Sequence, residues 1–113
     1  MVADELNEFD IAKINEMCKN KSLRWTNHIV ARLVQRGISM DDVEGALFNG
    51  EIIELYPDDY PYPSCLVLGK SETNESLHIV CGVSDVDLWL ITAYYPDNED
   101  WEPDFKARRG SLK

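Results

Sequence analysis

The connectors in the second half of the chain constrain its fold more than any other feature. Three β-rich runs, Cys65-Leu66-Val67-Leu68-Gly69, Ser76 to Val83 and Leu88 to Tyr95, are separated by the polar stretches Ser71 to Glu75 and Ser84 to Asp87. A parallel crossover needs about a dozen residues or more, so runs joined this tightly must pair antiparallel. A fourth strand-like run, Glu51-Ile52-Ile53-Glu54-Leu55-Tyr56, precedes them across the proline-rich loop Pro57-Asp58-Asp59-Tyr60-Pro61-Tyr62-Pro63. The expectation is a four-stranded antiparallel β-meander.

The first half has a helical period. Within residues 7–19, Ile11, Ile14 and Cys18 recur at i, i+3 and i+7, which predicts an amphipathic helix. Leu23-Arg24-Trp25 reads as a short extended link. Thr26 is a good N-cap and Gly37 a good C′ residue for a second helix, with Ile29, Val30, Leu33 and Val34 on its buried side. Ser39-Met40-Asp41-Asp42 resembles a capping box opening a third helix through Phe48, which Asn49-Gly50 ends. Helices first and strands after make the class α+β, with the helices packed on one face of the sheet. Residues 1–22 read as an N-terminal helical extension, and 23–113 as the α+β domain.

At 113 residues the chain has room for one core. No apolar run reaches the length of a membrane span, and Met1 to Asp10 is acidic with no signal-peptide pattern, so a cytoplasmic location is expected. Cys18, Cys65 and Cys81 are unclustered and read as small buried hydrophobes; neither metal nor cofactor is expected. The net charge of −10 disfavours non-specific nucleic-acid binding. The distribution is uneven, however. Between Arg36 and Lys70 lie seven acids and no base, while basic residues gather in Lys19 to Arg36 and in Lys106-Ala107-Arg108-Arg109.

On the second helix, His28, Arg32 and Arg36 follow at four-residue spacing and share one face. Metal-free RNA cleavage needs a base for the ribose 2′-OH, an acid for the leaving 5′-oxygen, and cations for the phosphorane. A neutral imidazole suits the first task and guanidiniums the last. Each residue also has a plain structural reading. A histidine at a helix edge bonds a strand, and an arginine at a helix C-terminus complements the dipole. His78, mid-strand, is either a partner for His28 or a satisfied core histidine. On the last strand Leu90, Thr92 and Tyr94 share one face by period two. Lys106, Arg108 and Arg109 either clamp RNA, dock on the sheet or lie in solvent. Tyr56, Tyr60 and Tyr62 around the proline loop either stack bases or contact protein.

The order His28-x-x-x-Arg32-x-x-x-Arg36-Gly37-Ile38, Asp42-Val43, Gly50-Glu51-Ile52-Ile53, Tyr56-Pro57-Asp58, Leu66-Val67-Leu68-Gly69, Leu77-His78-Ile79-Val80, Ile91 to Asp97, Trp101 and Asp104-x-x-x-Arg108-Arg109 resembles a group of small bacterial proteins classed as domain-of-unknown-function family 4258. That family is similar to RelE-type and BrnT-type toxins of toxin–antitoxin modules. The resemblance implies a RelE-like or barnase-like scaffold and a metal-independent endoribonuclease acting on single-stranded RNA. It also implies a cognate antitoxin of zinc-ribbon/helix-turn-helix type. It favours Tyr94 over Tyr95, whose plain reading is a half-buried sheet aromatic. In the enzyme reading His28, Arg32 and Tyr94 are catalytic, and Arg36, His78, Lys106, Arg108 and Arg109 bind substrate. The acidity departs from the basic toxin pattern and suits an alternative, a non-catalytic protein-binding module on the same scaffold.

Overall fold

The structure is a computed structural model that describes residues 11–110. The first helix, α1 (Ile11–Lys19), is described from Ile11; residues 7–10 of the expected helix lie outside the described residues. Then follow β1 (Leu23–Trp25), α2 (Asn27–Arg36), α3 (Met40–Asn49), β2 (Glu51–Tyr56), β3 (Ser64–Lys70), β4 (Ser76–Val83) and β5 (Leu88–Tyr94). The class is α+β, with three helices on one sheet.

Local chemistry sets the helix ends. Thr26 Oγ1 accepts from the Ile29 amide at 3.2 Å. At the other end Gly37 takes φ 67°, and the Gly37 and Ile38 amides reach back to the Val34 and Leu33 carbonyls. Such a left-handed stop favours glycine, which has no Cβ to clash. Ser39 Oγ caps α3 by accepting from the Asp42 amide at 2.9 Å. The expected capping box is only half formed. Asp42 Oδ1 accepts from the Glu72 amide at 3.1 Å, tying α3 to the β3–β4 turn instead of capping its own helix.

The sheet order is β1-β5-β4-β3-β2. The meander from β2 to β5 is antiparallel throughout, as its connectors require. The expected four-stranded antiparallel sheet is nevertheless one strand short. Leu23-Arg24-Trp25 is a fifth strand, pairing parallel with Leu88, Trp89 and Leu90. Its parallel sense costs no tight crossover, because the rest of the sheet lies between the two strands in sequence.

A bulge also corrects the expected faces of β5. Thr92 pairs with Val80 and Leu90 with Cys81, so Ile91 is an extra residue on β5. An extra residue reverses the alternation beyond it. Leu88, Leu90 and Ala93 therefore point into the core, fully buried, while Thr92 and Tyr94 lie on the opposite face with His78 and Val80.

The core lies between the helices and one sheet face. Ile14, Met17 and Cys18 of α1, Ile29 and Leu33 of α2, and Val43, Ala46 and Leu47 of α3 meet Cys65, Val67, Leu77, Ile79, Cys81 and Leu90. The α1 residues thus belong to the same core as the rest. Val30 and Val34, expected inside, are exposed, Val34 by 79 %. Helix α2 lies along the rim of the sheet, over β5, and buries only the narrow Ile29–Leu33 stripe.

Helix α3 approaches β3 so closely at Gly69 that a Cβ there would stand 2.0 Å from the Ala46 carbonyl oxygen. Gly69→Ala must push two backbones apart. It is expected to destabilise the domain by about 2 kcal/mol or more. Gly45→Ala, in α3 with open space at its Cβ, should instead stabilise by roughly 0.5–1 kcal/mol. Urea unfolding midpoints of the two variants check both signs.

Candidate functional site

Two groups of polar residues stand outside the core: the outer face of α2, and the sheet face turned away from the helices. They meet at the edge of β5.

β1 is three residues long and ends opposite Leu90, so β5 runs on without a strand partner on that side. Arg36 covers the gap. Its Nη1 donates to the Ala93 carbonyl at 2.7 Å and to Thr92 Oγ1 at 3.2 Å. A guanidinium fixed there satisfies an edge acceptor and blunts the edge. His28 and Arg32 continue the same face towards the helix N-terminus and are exposed. Arg32 touches only Gln35, at 3.3 Å, and His28 makes no hydrogen bond or ion pair with a described residue.

The other basic residues singled out from the sequence are committed. Lys106 pairs with Glu51 at 2.9 Å and Arg109 with Glu102 at 3.4 Å. Arg108 grips Glu54 through two bonds, Nε to Oε2 at 3.0 Å and Nη2 to Oε1 at 3.1 Å. Lys21 and Arg24 are likewise held by Glu44 and Asp87. The tail therefore docks on the sheet, and among the described residues His28, Arg32 and Arg36 have no carboxylate partner.

His78 anchors that tail. The ring is fully buried, and its Nε2 faces the Phe105 carbonyl at 2.8 Å. A carbonyl only accepts, so Nε2 carries the proton. In the neutral ring Nδ1 then accepts from the Tyr94 hydroxyl, 3.3 Å away. Trp101, nearly buried, packs edge-on against the imidazole with centroids 4.4 Å apart, and the Arg108 guanidinium covers the Trp101 ring at 4.6 Å. His78 is thus a satisfied core histidine, with neither nitrogen left for a substrate. Trp101, Glu54 and the Phe105 carbonyl complete a cluster whose members lie too far apart in sequence for any spacing rule to link them. A tryptophan in an otherwise polar tail is its one visible signal.

The electrostatics follow the packing. Burial holds the His78 pKa below its ordinary value, against the Phe105 carbonyl and Glu54, which favour the cation. Burial also raises the Tyr94 phenol, partly offset by the nearby positive charges of Arg108 and Arg36. Burial would raise Glu54, but bonds from Arg108 and Tyr56 outweigh it and keep its pKa low. The Tyr56 hydroxyl donates to Glu54 Oε1 at 2.6 Å and is pushed up to about 12 by burial and by that carboxylate.

Arg36 and Tyr94 are therefore brought together at the end of β5, whereas His28 and Arg32 lie back along α2. At 1.5 Å per residue, His28 and Arg36 are separated by about 12 Å along the axis. No cluster of three or more His, Cys, Asp or Glu that could hold a metal occurs among the described residues, nor is any described helix long and apolar enough to cross a membrane.

An α+β domain with this edge matches one family model. Residues 25–95 fit the family described as Domain of unknown function (DUF4258), and the chain belongs to that family. The matched span holds His28, Arg32, Arg36, His78 and Tyr94 and leaves out α1 and the docked tail. No curated protein and no solved structure matches the chain.

The buried neutral His78 predicts a pH dependence of stability. On unfolding its pKa returns to about 6.5, so as pH falls the unfolded chain binds the proton first. The stabilisation is complete above that value and is lost as pH drops from it towards the lower folded pKa. Urea midpoints should fall between about pH 7.5 and pH 5.5, and His78→Gln should flatten that decline.

Proposed function

We propose that this protein is a toxin-like, metal-independent endoribonuclease acting on single-stranded RNA. One observation carries the reading. In a chain of net charge −10, Arg32, Arg36 and the imidazole of His28 share one exposed helix face, and no described carboxylate pairs with them. A local positive stripe on an acidic body confines a polyanion to one track.

In this reading His28, whose nitrogens meet no partner among the described residues, takes the ribose 2′-OH proton. The 2′-oxygen bonds to phosphorus and the bond to the 5′-oxygen breaks. The departing 5′-oxygen takes a proton from water, and the proton held by His28 returns to the hydroxide so formed, leaving a 2′,3′-cyclic phosphate, a 5′-hydroxyl and a neutral imidazole. Arg32, one turn from His28, holds the non-bridging oxygens as charge develops. Arg36, about one turn further on, holds a neighbouring phosphate. The raised Tyr94 phenol keeps its proton and donates it to His78 Nδ1, so Tyr94 serves by its position near Arg36 and not as a donor to phosphate. His78 positions Tyr94 and does not touch RNA. Arg108 acts through the same cluster, and Lys106 and Arg109 hold the tail.

Exposed Val30 and Val34 favour a second reading. They lie on the same helix as the stripe and would suit a protein partner docking on a non-catalytic binding module.

Incubation of single-stranded RNA with the purified chain in excess EDTA separates the two. Cleavage is expected, with His28→Ala and Arg32→Ala each lowering its rate by about 100-fold or more while leaving the unfolding midpoint unchanged. Absence of cleavage, both alone and with ribosomes, would overturn the enzyme reading in favour of the binding module.

A further inference from the structure

The proline loop between β2 and β3 has no part in the proposed cleavage, yet with the sheet it builds a groove of about 470 Å³. That is ample for one planar ring system. Its floor is Gly82 of β4. A Cβ there would sit at ordinary contact distances, 3.6 Å from Trp89 Cβ and 3.8 Å from Tyr62 Cβ. Alanine therefore fits, and glycine is not required by backbone strain. A glycine mid-strand forgoes packing, and here it keeps bulk off the groove beside Tyr62, Trp89 and Ile91. Those rings, Tyr62 and Trp89, lie nearly parallel, 24° apart with centroids at 6.0 Å. At the rim Tyr60 is 94 % exposed and touches no described ring or hydrogen-bond partner. So exposed an aromatic, on a loop stiffened by Pro61 and Pro63, is a stacking surface without an occupant inside the chain.

The polar groups give the groove a direction. Asp59 lines it; the Ser64 hydroxyl donates to Oδ2, which keeps a second lone pair, and Oδ1 meets no donor among the described residues, so both oxygens can accept. A carboxylate repels phosphate, so a strand entering here puts a base inside and its backbone outside. Thr26, the N-cap of α2, forms the opposite side. The groove thus opens where the stripe of His28, Arg32 and Arg36 begins. α2 and β5 run in the same sense from there: Thr26 lies by Trp89 and Ile91, Arg36 by Thr92 and Ala93.

We propose that this groove is a nucleobase subsite, selective for guanine, that sets where a single RNA strand lies on the α2 track. The proposal rests on the RNA reading above. Stacking on aromatic side chains is sequence-tolerant, since every base has a π-face. Selection comes from Asp59. Guanine alone offers two adjacent N–H donors, N1–H and the N2 amino group, to a carboxylate. Adenine and cytosine place a ring-nitrogen acceptor beside their amino group, and uracil flanks its N–H with two carbonyls.

The test uses the full chain and two labelled eight-nucleotide 2′-O-methyl RNAs, which cannot be cleaved through the 2′-oxygen. One is all uridine and the other carries a single central guanosine. Anisotropy titrations should show the guanosine strand bound about tenfold more tightly. Asp59→Asn should bring the two strands level. Tyr60→Ala, which removes no internal contact, and Gly82→Leu, which fills the floor, should each weaken the guanosine strand about fivefold or more. Equal binding of both strands by the unaltered chain, or indifference to Tyr60→Ala and Gly82→Leu, would overturn the subsite. Cleavage of unmodified RNA, if retained in that case, would leave the nuclease reading standing. Guanosine-dependent binding without cleavage would uphold the groove and remove the nuclease. Binding of neither strand would overturn the subsite and, with no cleavage, both.

Discussion

The structure turns on the shortness of one strand. β1 pairs with β5 for three residues and stops at Trp25, opposite Leu90. Had it continued, Ala93 would have bonded to a strand and α2 would have no edge to follow. Instead the chain turns at Thr26 into a helix that lies over β5, and Arg36 donates to the Ala93 carbonyl. That one contact fixes the C-terminal end of α2 against the sheet. With Ile29 and Leu33 buried beneath, the rotation of the helix is set, and the His28–Arg32–Arg36 face is left pointing outward.

The remaining charges follow from a second closure. After β5 the chain folds back over the uncovered sheet face and is pinned there by Trp101 against His78 and by Arg108 on Glu54. Each is a local solution to burial. A ring nitrogen facing a carbonyl and a guanidinium matched to a carboxylate satisfy groups that would otherwise be costly to cover. The consequence reaches beyond stability. Tail cations paired in this way are drawn towards carboxylates, whereas Arg32 and Arg36 stand together on one helix face with no carboxylate partner among the described residues.

Much of this was legible in the sequence, for reasons that separate cleanly. Short polar connectors dictate antiparallel pairing, and the caps at Thr26, Gly37 and Ser39 are local chemistry, so the meander and the helix boundaries follow from neighbours in the chain. The three-residue β1 was not legible, because Leu23-Arg24-Trp25 acquires its strand identity from β5, more than sixty residues away in the chain. The bulge at Ile91 was equally hidden, and with it the inward turn of Leu90. The burial of Val30 and Val34 was overestimated because helical periodicity shows an apolar side but not how much sheet lies beneath it. At the site, the spacing of His28, Arg32 and Arg36 placed them on one face, whereas the engagement of His78 with Phe105 and of Arg108 with Glu54 depends on a tail whose path no pattern encodes. The groove was half visible: the tyrosines and prolines of the loop stand together in sequence, but Gly82 and Trp89 join them only through the sheet.

We propose that the unpaired arginines of α2 grip RNA phosphates and that the tail cations do not. The most direct measurement is the salt dependence of binding to an uncleavable single strand. Each phosphate neutralised contributes about −0.7 to the slope of log K against log salt. Arg32→Ala should shrink the magnitude of that slope by about 0.7 and Arg109→Ala should leave it unchanged. A slope insensitive to Arg32, or one equally reduced by loss of Arg109, would contradict the claim.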